Sequence, residues 1–233
     1  MTQPILTGKV KSVFDVPGDA SRVTIQFHDK VTAWNGKMVE YPEEKGKICC
    51  LISALLFEKL EASGIRTHYL GTEGLDRLIC KKLTIVPVEV ICRNIAAGSL
   101  VKNTDGLTEG VRISPPIVEF FLKNDTKGDP LLTEDRVRLM GHDPIPLKET
   151  ARDINDILET LFTLMGIDLV DFKLEFGYDA HGDLFLADEL SPDNMRLWRK
   201  DNKERLDKDL FRKDEGDIVT AYKQILERLR QFA

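Results

Sequence analysis

The segment LVDFKLEFG, residues 169–177, carries three charged residues at alternate positions. In a β-strand, successive side chains point to opposite faces, so Asp171, Lys173 and Glu175 share one face and the apolar residues share the other. The apolar face predicts packing against a core. The charged face is followed along the chain by DAHGDLFLADELSPD, which adds further carboxylates. Together these segments indicate either a solvated hairpin or a site that holds a cation and an anionic ligand.

The length of the hairpin loop decides which residue faces Asp188. A two-residue loop at His181–Gly182 places Glu175 directly opposite Asp188. Opposed residues have Cβ atoms about 5 Å apart, and two like charges at that distance destabilise the pair. A divalent cation reverses this effect, since Mg²⁺ is held by one or two carboxylates together with water and phosphate oxygens. A four-residue loop instead places Lys173 opposite Asp188 as a plain ion pair, so the sequence leaves both arrangements open.

A second candidate segment is PVEVICRNIAAGS, residues 87–99. A strand that ends near Arg93 runs into small residues, which allow the backbone to approach a ligand closely. Arginine grips a phosphate or a carboxylate with two donors. The alternative is a strand end with an ion-paired arginine, followed by an ordinary helix start.

Two further segments offer cations. In GKVKSVF, Lys9 and Lys11 share one face of the first strand, which suits a polyphosphate; the alternative is a lysine pair that protects an edge strand. In SPDNMRLW, a turn presents Asp193 and Arg196; the alternative is a capped turn with a surface ion pair.

Composition excludes several classes of protein. The chain has 233 residues, of which 42% are hydrophobic and 31% charged, as is usual for a globular protein. A net charge of −6 argues against nucleic acid or an anionic membrane as the main partner. The four cysteines form no CxxC pair and no zinc spacing, and the longest apolar run, residues 48–57, is half a membrane span. We therefore expect a cytoplasmic protein without a membrane segment.

The pattern of apolar residues predicts an α+β fold in two lobes. The N-terminal lobe, residues 1–86, is β-rich, whereas residues 87–233 form an α+β lobe. Pro87 cannot donate a ladder hydrogen bond, so a strand break or a crossing between the lobes is expected near it. Helices are predicted at 43–64, 147–165 and 215–231, and strands at 10–16, 22–28, 65–70, 78–86, 88–94 and 117–124.

Neither GxxxxGK[ST] nor GxGxxG occurs in the chain. The chain instead resembles the phosphoribosylaminoimidazole-succinocarboxamide synthase (SAICAR synthetase) family. The matching segments are GKVKSVF, PVEVICRNIAAGSL, FFLKNDTKGDP, LVDFKLEFG, LADELSPDNMRLW and LDKDLFR, in family order over almost the whole chain. Family members commonly carry two asparagines where this chain has Cys49–Cys50, and Thr-Cys or Gly-Ser where it has Asn194–Met195. Neither departure touches a charged residue.

The resemblance implies ATP-dependent joining of the carboxylate of carboxyaminoimidazole ribonucleotide (CAIR) to the amine of L-aspartate, giving SAICAR, ADP and phosphate. It also implies two lobes around an ATP cleft, reminiscent of protein kinases and ATP-grasp enzymes, and a homodimer. Apart from the second copy of the chain, the expected partners are small molecules only. A phosphotransferase or a nucleotide-sensing module is the rival interpretation.

The resemblance also assigns roles to residues. Lys173 and Asp171 lie near the reacting carboxylate and are the catalytic candidates, while Glu175 and Asp188 hold Mg²⁺. The implied ATP contacts are Lys9, Lys11, Lys81, Lys82, Glu175 and Asp188. The implied CAIR contacts are Glu89, Arg93, Ser99, Asp171, Lys173, Arg196 and Arg212.

Overall fold

The structure is a computed structural model that describes residues 3–33 and 36–232. Two large antiparallel sheets and six α-helices make up most of this part of the chain, as expected for an α+β fold. The N-terminal sheet has the strand order β1-β2-β3-β7-β6. Its strands are β1 (Leu6–Thr7), β2 (Lys11–Val16), β3 (Asp19–Phe27), β6 (Tyr69–Glu73) and β7 (Arg77–Lys81). A separate pair consists of β4 (Val31–Ala33) and β5 (Met38–Glu40).

The central sheet has the strand order β10-β9-β8-β11-β12, and β13 also pairs with β11. Its strands are β8 (Thr84–Ile95), β9 (Arg112–Leu122), β10 (Leu131–Leu132), β11 (Ile167–Tyr178), β12 (Leu184–Ala187) and β13 (Met195–Arg199). Strand β11 is flanked by β8 along one side and by β12 and then β13 along the other. The charged face of β11 therefore meets side chains from three neighbouring strands.

The helices are α1 (Lys45–Ala62), α2 (Gly98–Lys102), α3 (Glu134–Leu139), α4 (Pro144–Leu164), α5 (Asp209–Lys213) and α6 (Ile218–Phe232), with a 3₁₀ turn at Asp125–Lys127. The three long helices predicted from the sequence are confirmed. Helix α4 begins at an N-cap, where the Asp143 carboxylate accepts from Ile145 N–H, and Gly166 follows its end with φ +71°. Helix α1 packs against α6 and against the N-terminal sheet, which joins the two ends of the chain in one core. None of the helices in the described ranges is long and apolar enough to span a membrane.

The strand break expected at Pro87 is wrong, because β8 runs through this residue without interruption. The interruption falls earlier, at residues 82–83 between β7 and β8, inside the segment predicted as one strand. Pro87 is tolerated because the β8–β11 register shifts between Glu175 and Gly177, so that a bulge in β8 absorbs the missing N–H. The Pro87 carbonyl still accepts from Lys123 N–H at 3.1 Å, a usual length for a backbone hydrogen bond.

Both registers considered for the β11–β12 hairpin are also wrong. Glu175 pairs with Ala187, and Tyr178 pairs with Leu184. Asp179 N–H bonds to the Asp183 carbonyl, which closes a three-residue loop instead of one of two or four residues. Gly182 has φ +83°, the left-handed conformation that such loops require. Asp188 therefore lies one position beyond the residue opposite Glu175.

Candidate active site

Four carboxylates and three lysines meet beside β11 and form what we call the lysine cluster: Lys11, Lys123, Lys173, Glu89, Glu175, Asp188 and Glu189. Their side chains come from β2, β8 and β11 and from the segments that follow β9 and β12. The lysine cluster thus joins the N-terminal sheet to the central sheet.

The directly opposed carboxylates are those of Glu175 and Glu89, not Glu175 and Asp188. The Lys173 ammonium bridges them, at 2.6 Å from Glu89 Oε1 and 3.3 Å from Glu175 Oε1. The Lys123 ammonium contacts the other oxygen of Glu175. Burial lowers the pKa of Lys173, but the carboxylates of Glu175 and Glu89 outweigh it and raise the pKa above its usual value. A lysine already supplies the positive charge that the sequence assigned to a metal.

Lys11 connects the next two carboxylates. Its Nζ lies 2.5 Å from Asp188 Oδ1 and 2.8 Å from Glu189 Oε1. Burial alone would raise the pKa of Asp188, but the ammonium groups of Lys11 and Lys173 hold it well below its usual range. Asp188 is therefore ionised at neutral pH and lies within electrostatic reach of Lys173 on β11.

A second group of charges lies toward the other end of the same face of β11. We call it the arginine cluster, and it consists of Arg93, Arg196, Arg212, Asp171, Asp209, Glu119 and Ser99. Asp171 pairs with Arg93 on one side and with Arg196 on the other, so three strands place these residues in one row.

Arg93 and Arg196 each make contacts through more than one nitrogen of the guanidinium. Arg93 donates from Nε to Glu119 at 2.6 Å, from Nη1 to Asp171 at 3.1 Å and from Nη2 to Ser99 at 3.2 Å. Arg196 donates from Nη1 to both oxygens of Asp171, at 3.0 and 2.8 Å, and from Nε to Asp209 at 2.9 Å.

The segment of small residues after β8 packs closely against the arginine cluster. A Cβ on Gly98 would lie 2.5 Å from Arg196 Nη2, and Gly98 has φ +55°. The closest neighbour of Gly98 is thus the Arg196 guanidinium, a side chain of the site. Any larger residue at position 98 would displace this guanidinium. Ser99 and Gly98 are exposed, and they lie at the solvent edge of an otherwise buried Arg93.

The lysines of the N-terminal sheet are not brought together as predicted. Lys9 is exposed in the turn between β1 and β2, so it does not share a strand face with Lys11. Lys82 contacts Asp15 at 2.6 Å, and Asp15 lies on the Lys11 face of β2. Lys81 lies on the opposite face, where its Nζ is 4.1 Å from the centre of the Phe185 ring.

Asp193 is buried and is not part of a surface ion pair. Its carboxylate contacts the Lys45 ammonium and accepts from the Tyr222 hydroxyl at 2.9 Å. Lys45 and Tyr222 are themselves fully buried, so this group ties the SPDN turn to α1 and α6. Cys49 and Cys50 are buried in the same core, as expected for packing residues.

Several charged residues of the site were not identified from the sequence. Lys123 falls in a segment that reads as a polar turn, and Glu119 and Asp209 have partners that are distant along the chain. Lys123 and Asp209 could have been identified from their position inside segments that match the family, which are FFLKNDTKGDP for Lys123 and LDKDLFR for Asp209.

Comparisons with known proteins agree on one family. The family model described as SAICAR synthetase matches residues 4–229. The phosphoribosylaminoimidazole-succinocarboxamide synthase of Methanocaldococcus jannaschii is 46% identical over 231 residues, which cover 97% of this chain and 94% of that protein. The enzyme of the same name from Thermococcus sibiricus is 45% identical, with 97% of each chain covered.

Solved structures give the same result. A SAICAR synthetase in complex with ADP superimposes with a TM-score of 0.93 at 41% identity, and the match covers 96% of each chain. The phosphoribosylaminoimidazole-succinocarboxamide synthase of Ehrlichia chaffeensis gives a TM-score of 0.94 at 38% identity over 98% of each chain. The resemblance found in the sequence is confirmed, and the chain belongs to the SAICAR synthetase family.

Proposed function

We propose that this chain joins the carboxylate of CAIR to the amine of L-aspartate at the expense of ATP, giving SAICAR, ADP and phosphate in purine biosynthesis. The observation that carries the proposal is the match to SAICAR synthetases over nearly the full length, together with two charge clusters on one face of β11. Such a reaction needs a nucleotide and a ribonucleotide side by side, and β11 offers a separate charged region for each.

The nucleotide is assigned to the lysine cluster and the adjacent face of the N-terminal sheet. Lys11 and Lys82 lie on one face of this sheet, and Lys9 lies in the turn before β2. These cations suit a triphosphate, since each ammonium neutralises part of its charge. The Lys81 side chain faces the other side of the N-terminal sheet, toward Phe185. Any contact of Lys81 with ATP is therefore assigned to its backbone.

Mg²⁺ is the cofactor proposed with ATP. The described residues contain no group of three or more His, Cys, Asp or Glu side chains that suits a metal alone. Glu175 and Asp188 nevertheless fit an ion that takes one or two carboxylates and fills its shell with water and phosphate oxygens. When bound, the ion would neutralise charge on the phosphoryl group that is transferred.

CAIR is assigned to the arginine cluster. Arg93 donates to Ser99, while Arg196 and Arg212 both donate to Asp209, and the forked donors of arginine suit the ribonucleotide phosphate. Asp171 of this cluster and Lys173 of the lysine cluster are two positions apart on the same face of β11, and Glu89 lies opposite Glu175 one step further along. We therefore assign the reacting carboxylate of CAIR to the boundary between the two clusters, near Asp171, Lys173 and Glu89.

The chemistry requires that one carboxylate oxygen of CAIR becomes a leaving group. Attack by that oxygen on the γ-phosphorus forms a P–O bond, breaks the bond to ADP and leaves an acyl phosphate. The aspartate amine then attacks the acyl carbon, loses a proton and expels phosphate. Lys173 stands between Glu89 and Glu175 and is placed to neutralise charge on the attacking oxygen.

Omitting one substrate at a time tests the proposal. ADP formation over many turnovers should need ATP, Mg²⁺, CAIR and L-aspartate together, and CAIR labelled with ¹⁸O in its carboxylate should pass one labelled oxygen to phosphate. Equal ADP release without aspartate, and no amide product, would identify a phosphotransferase instead. Unlabelled phosphate would exclude the acyl phosphate.

The remaining proposals concern organisation. The two sheets support a nucleotide-binding lobe at 1–86 and a substrate lobe at 87–233, although the strand that crosses residue 87 belongs to the central sheet. A homodimer is proposed from the family only, and a cytoplasmic location from the cysteine pattern and the short apolar run of the sequence. Sedimentation of the purified protein and fractionation of the source cells would test them.

A further inference from the structure

His68 is a buried histidine that contacts the backbone of the residue we assign to the nucleotide. Its Nε2 lies 3.1 Å from the carbonyl oxygen of Asp188, and the ring packs edge-on against Phe57 with centroids 5.3 Å apart. The His68 backbone also joins the two sheets, because its N–H donates to Leu186 and its carbonyl accepts from Lys81. The ring position is thus fixed by both backbone and packing.

The carbonyl of Asp188 determines which ring nitrogen carries the proton. A carbonyl oxygen can only accept, so Nε2 must donate. Since Nε2 donates, a neutral His68 ring is the Nε2–H tautomer. The other neighbour of Nε2 is the Cys80 sulfur at 3.5 Å, which is a weak acceptor.

Asp188 needs such support because its backbone is left-handed, with φ +64°. Outside glycine this conformation costs free energy and persists where neighbouring groups hold it. The register places Ala187 opposite Glu175, so an extended Asp188 would point to the far face of the hairpin. The left-handed turn instead brings Asp188 and Glu189 to the Lys11 ammonium.

We propose that His68 is a positioning residue, whose Nε2–H holds the left-handed turn at Asp188 and thereby keeps the carboxylates of Asp188 and Glu189 against Lys11. This inference rests on the proposed place of Lys11 and Asp188 at the nucleotide. His68 touches neither substrate nor nucleotide in this role, and what it supplies is one directed hydrogen bond.

Two substitutions of His68 distinguish the effect of its hydrogen-bond donor from the effect of the space that its ring fills. His68→Gln keeps an N–H donor at the end of a side chain of similar reach, whereas His68→Leu fills the space without a donor. We expect His68→Leu to weaken ADP binding in the presence of Mg²⁺ by about five- to tenfold, measured by calorimetry. His68→Gln should recover most of this affinity, and the KM for CAIR should be unchanged in both variants.

Two controls exclude indirect effects. Cys80→Ala removes the other neighbour of Nε2, and Phe57→Leu loosens the packing of the ring; both should lose thermal stability without a loss of ADP affinity. Equal loss of affinity in His68→Leu and His68→Gln, or wild-type affinity in both, would overturn the proposal.

A spectroscopic measurement on the wild-type protein needs neither activity nor a variant that folds. A long-range ¹H–¹⁵N correlation spectrum should show His68 as the neutral Nε2–H tautomer. An Nδ1–H tautomer would overturn the proposal directly. If the wild-type protein binds ADP but forms no SAICAR, the proposed function fails while the role of His68 stands on these two readouts.

Discussion

The lysine cluster and the arginine cluster lie on the same face of one strand, yet they are built differently. In the arginine cluster, Arg93 and Arg196 each make several hydrogen bonds in fixed directions, and Asp171 is held between them. In the lysine cluster, the Lys11 ammonium is a point charge shared between Asp188 and Glu189, and the Lys173 ammonium is shared between Glu89 and Glu175. A planar fork fixes geometry, whereas a lysine can exchange partners at small cost.

This difference matches the two ligands that we propose. The phosphate of the ribonucleotide does not react, so a rigid binding site suits it, and the arginine cluster supplies such a site. A triphosphate that arrives with a cation and leaves as two products needs carboxylates and ammonium groups that can change partners. The comparison predicts that substitutions in the arginine cluster reduce stability and CAIR binding, and that those in the lysine cluster reduce the rate of the chemical step.

The largest effect is expected for Asp171→Asn. The substitution leaves the buried Arg93 and Arg196 without the charge that separates them, so the free energy of unfolding should fall by about 3 kcal/mol. Urea denaturation followed by circular dichroism measures this. The matched control is Asp201→Asn, which removes an exposed partner of Arg199 and should leave stability close to wild type. Equal stability of the two variants would mean that the arginine cluster is not held together by Asp171.

The next largest effect is expected for Lys173→Met, in the lysine cluster. The loss of the ammonium between Glu89 and Glu175 should slow the chemical step by about 10²-fold, because no group then neutralises the attacking oxygen. Single-turnover quench measurements give this rate, and ADP affinity should change much less. Lys203→Met, which removes an exposed partner of Asp168, is the control. An unchanged single-turnover rate would leave Lys173 as a structural ion pair.

A smaller effect is expected when arginine and lysine are exchanged for each other in the two clusters. Arg93→Lys keeps the charge but cannot reach Glu119, Asp171 and Ser99 together, so the KM for CAIR should rise about tenfold while the KM for ATP stays the same. The reverse exchange in the lysine cluster, Lys123→Arg, should be tolerated, since Glu175 is the one ion-pair partner of Lys123 among the residues that the structure describes. A rise in the KM for ATP in Arg93→Lys would move Arg93 to the nucleotide side.

The smallest effect concerns pH. Burial would raise the pKa of Asp209, but the guanidinium groups of Arg196 and Arg212 hold it below its usual value. Its contribution to stability is therefore present above the ordinary Asp pKa of about 3.9 and is lost as the pH falls through the lower pKa of the folded state. The stability deficit of Asp209→Asn should be full at pH 7 and shrink below about pH 4. A deficit that does not vary with pH would mean that Asp209 acts through packing.

Much of the site was predictable because it depends on local pattern. The alternation in LVDFKLEFG placed Asp171, Lys173 and Glu175 on one face, and the pairings of β11 confirm that they share it. The predicted ends of α1 and α4 lie at or beside Gly64 and Gly166, both of which have positive φ. Periodicity of two or 3.6 residues is a property of the segment alone, so no partner has to be known.

Pairings between segments were predicted less well. The loop of the β11–β12 hairpin contains three residues, and this shift of one position exchanges Asp188 for Ala187 opposite Glu175. The carboxylate that does face Glu175 is Glu89, which is 86 positions away along the chain. Register depends on the turn conformation and on both strands, and spacing within one strand does not contain it.

The sequence by itself determined the family, the α+β class and the charged face of β11, because motifs and short-range periodicity are written in consecutive residues. Only the tertiary structure decided which charges meet: Lys173 between Glu89 and Glu175, Lys11 against Asp188 and Glu189, and Lys82 instead of Lys81 on the Lys11 face. It also brought His68 to the Asp188 carbonyl, from which it is 120 positions away along the chain. Ion pairs and hydrogen bonds act over a few ångströms in space, so their partners are fixed when the sheets pack and not before.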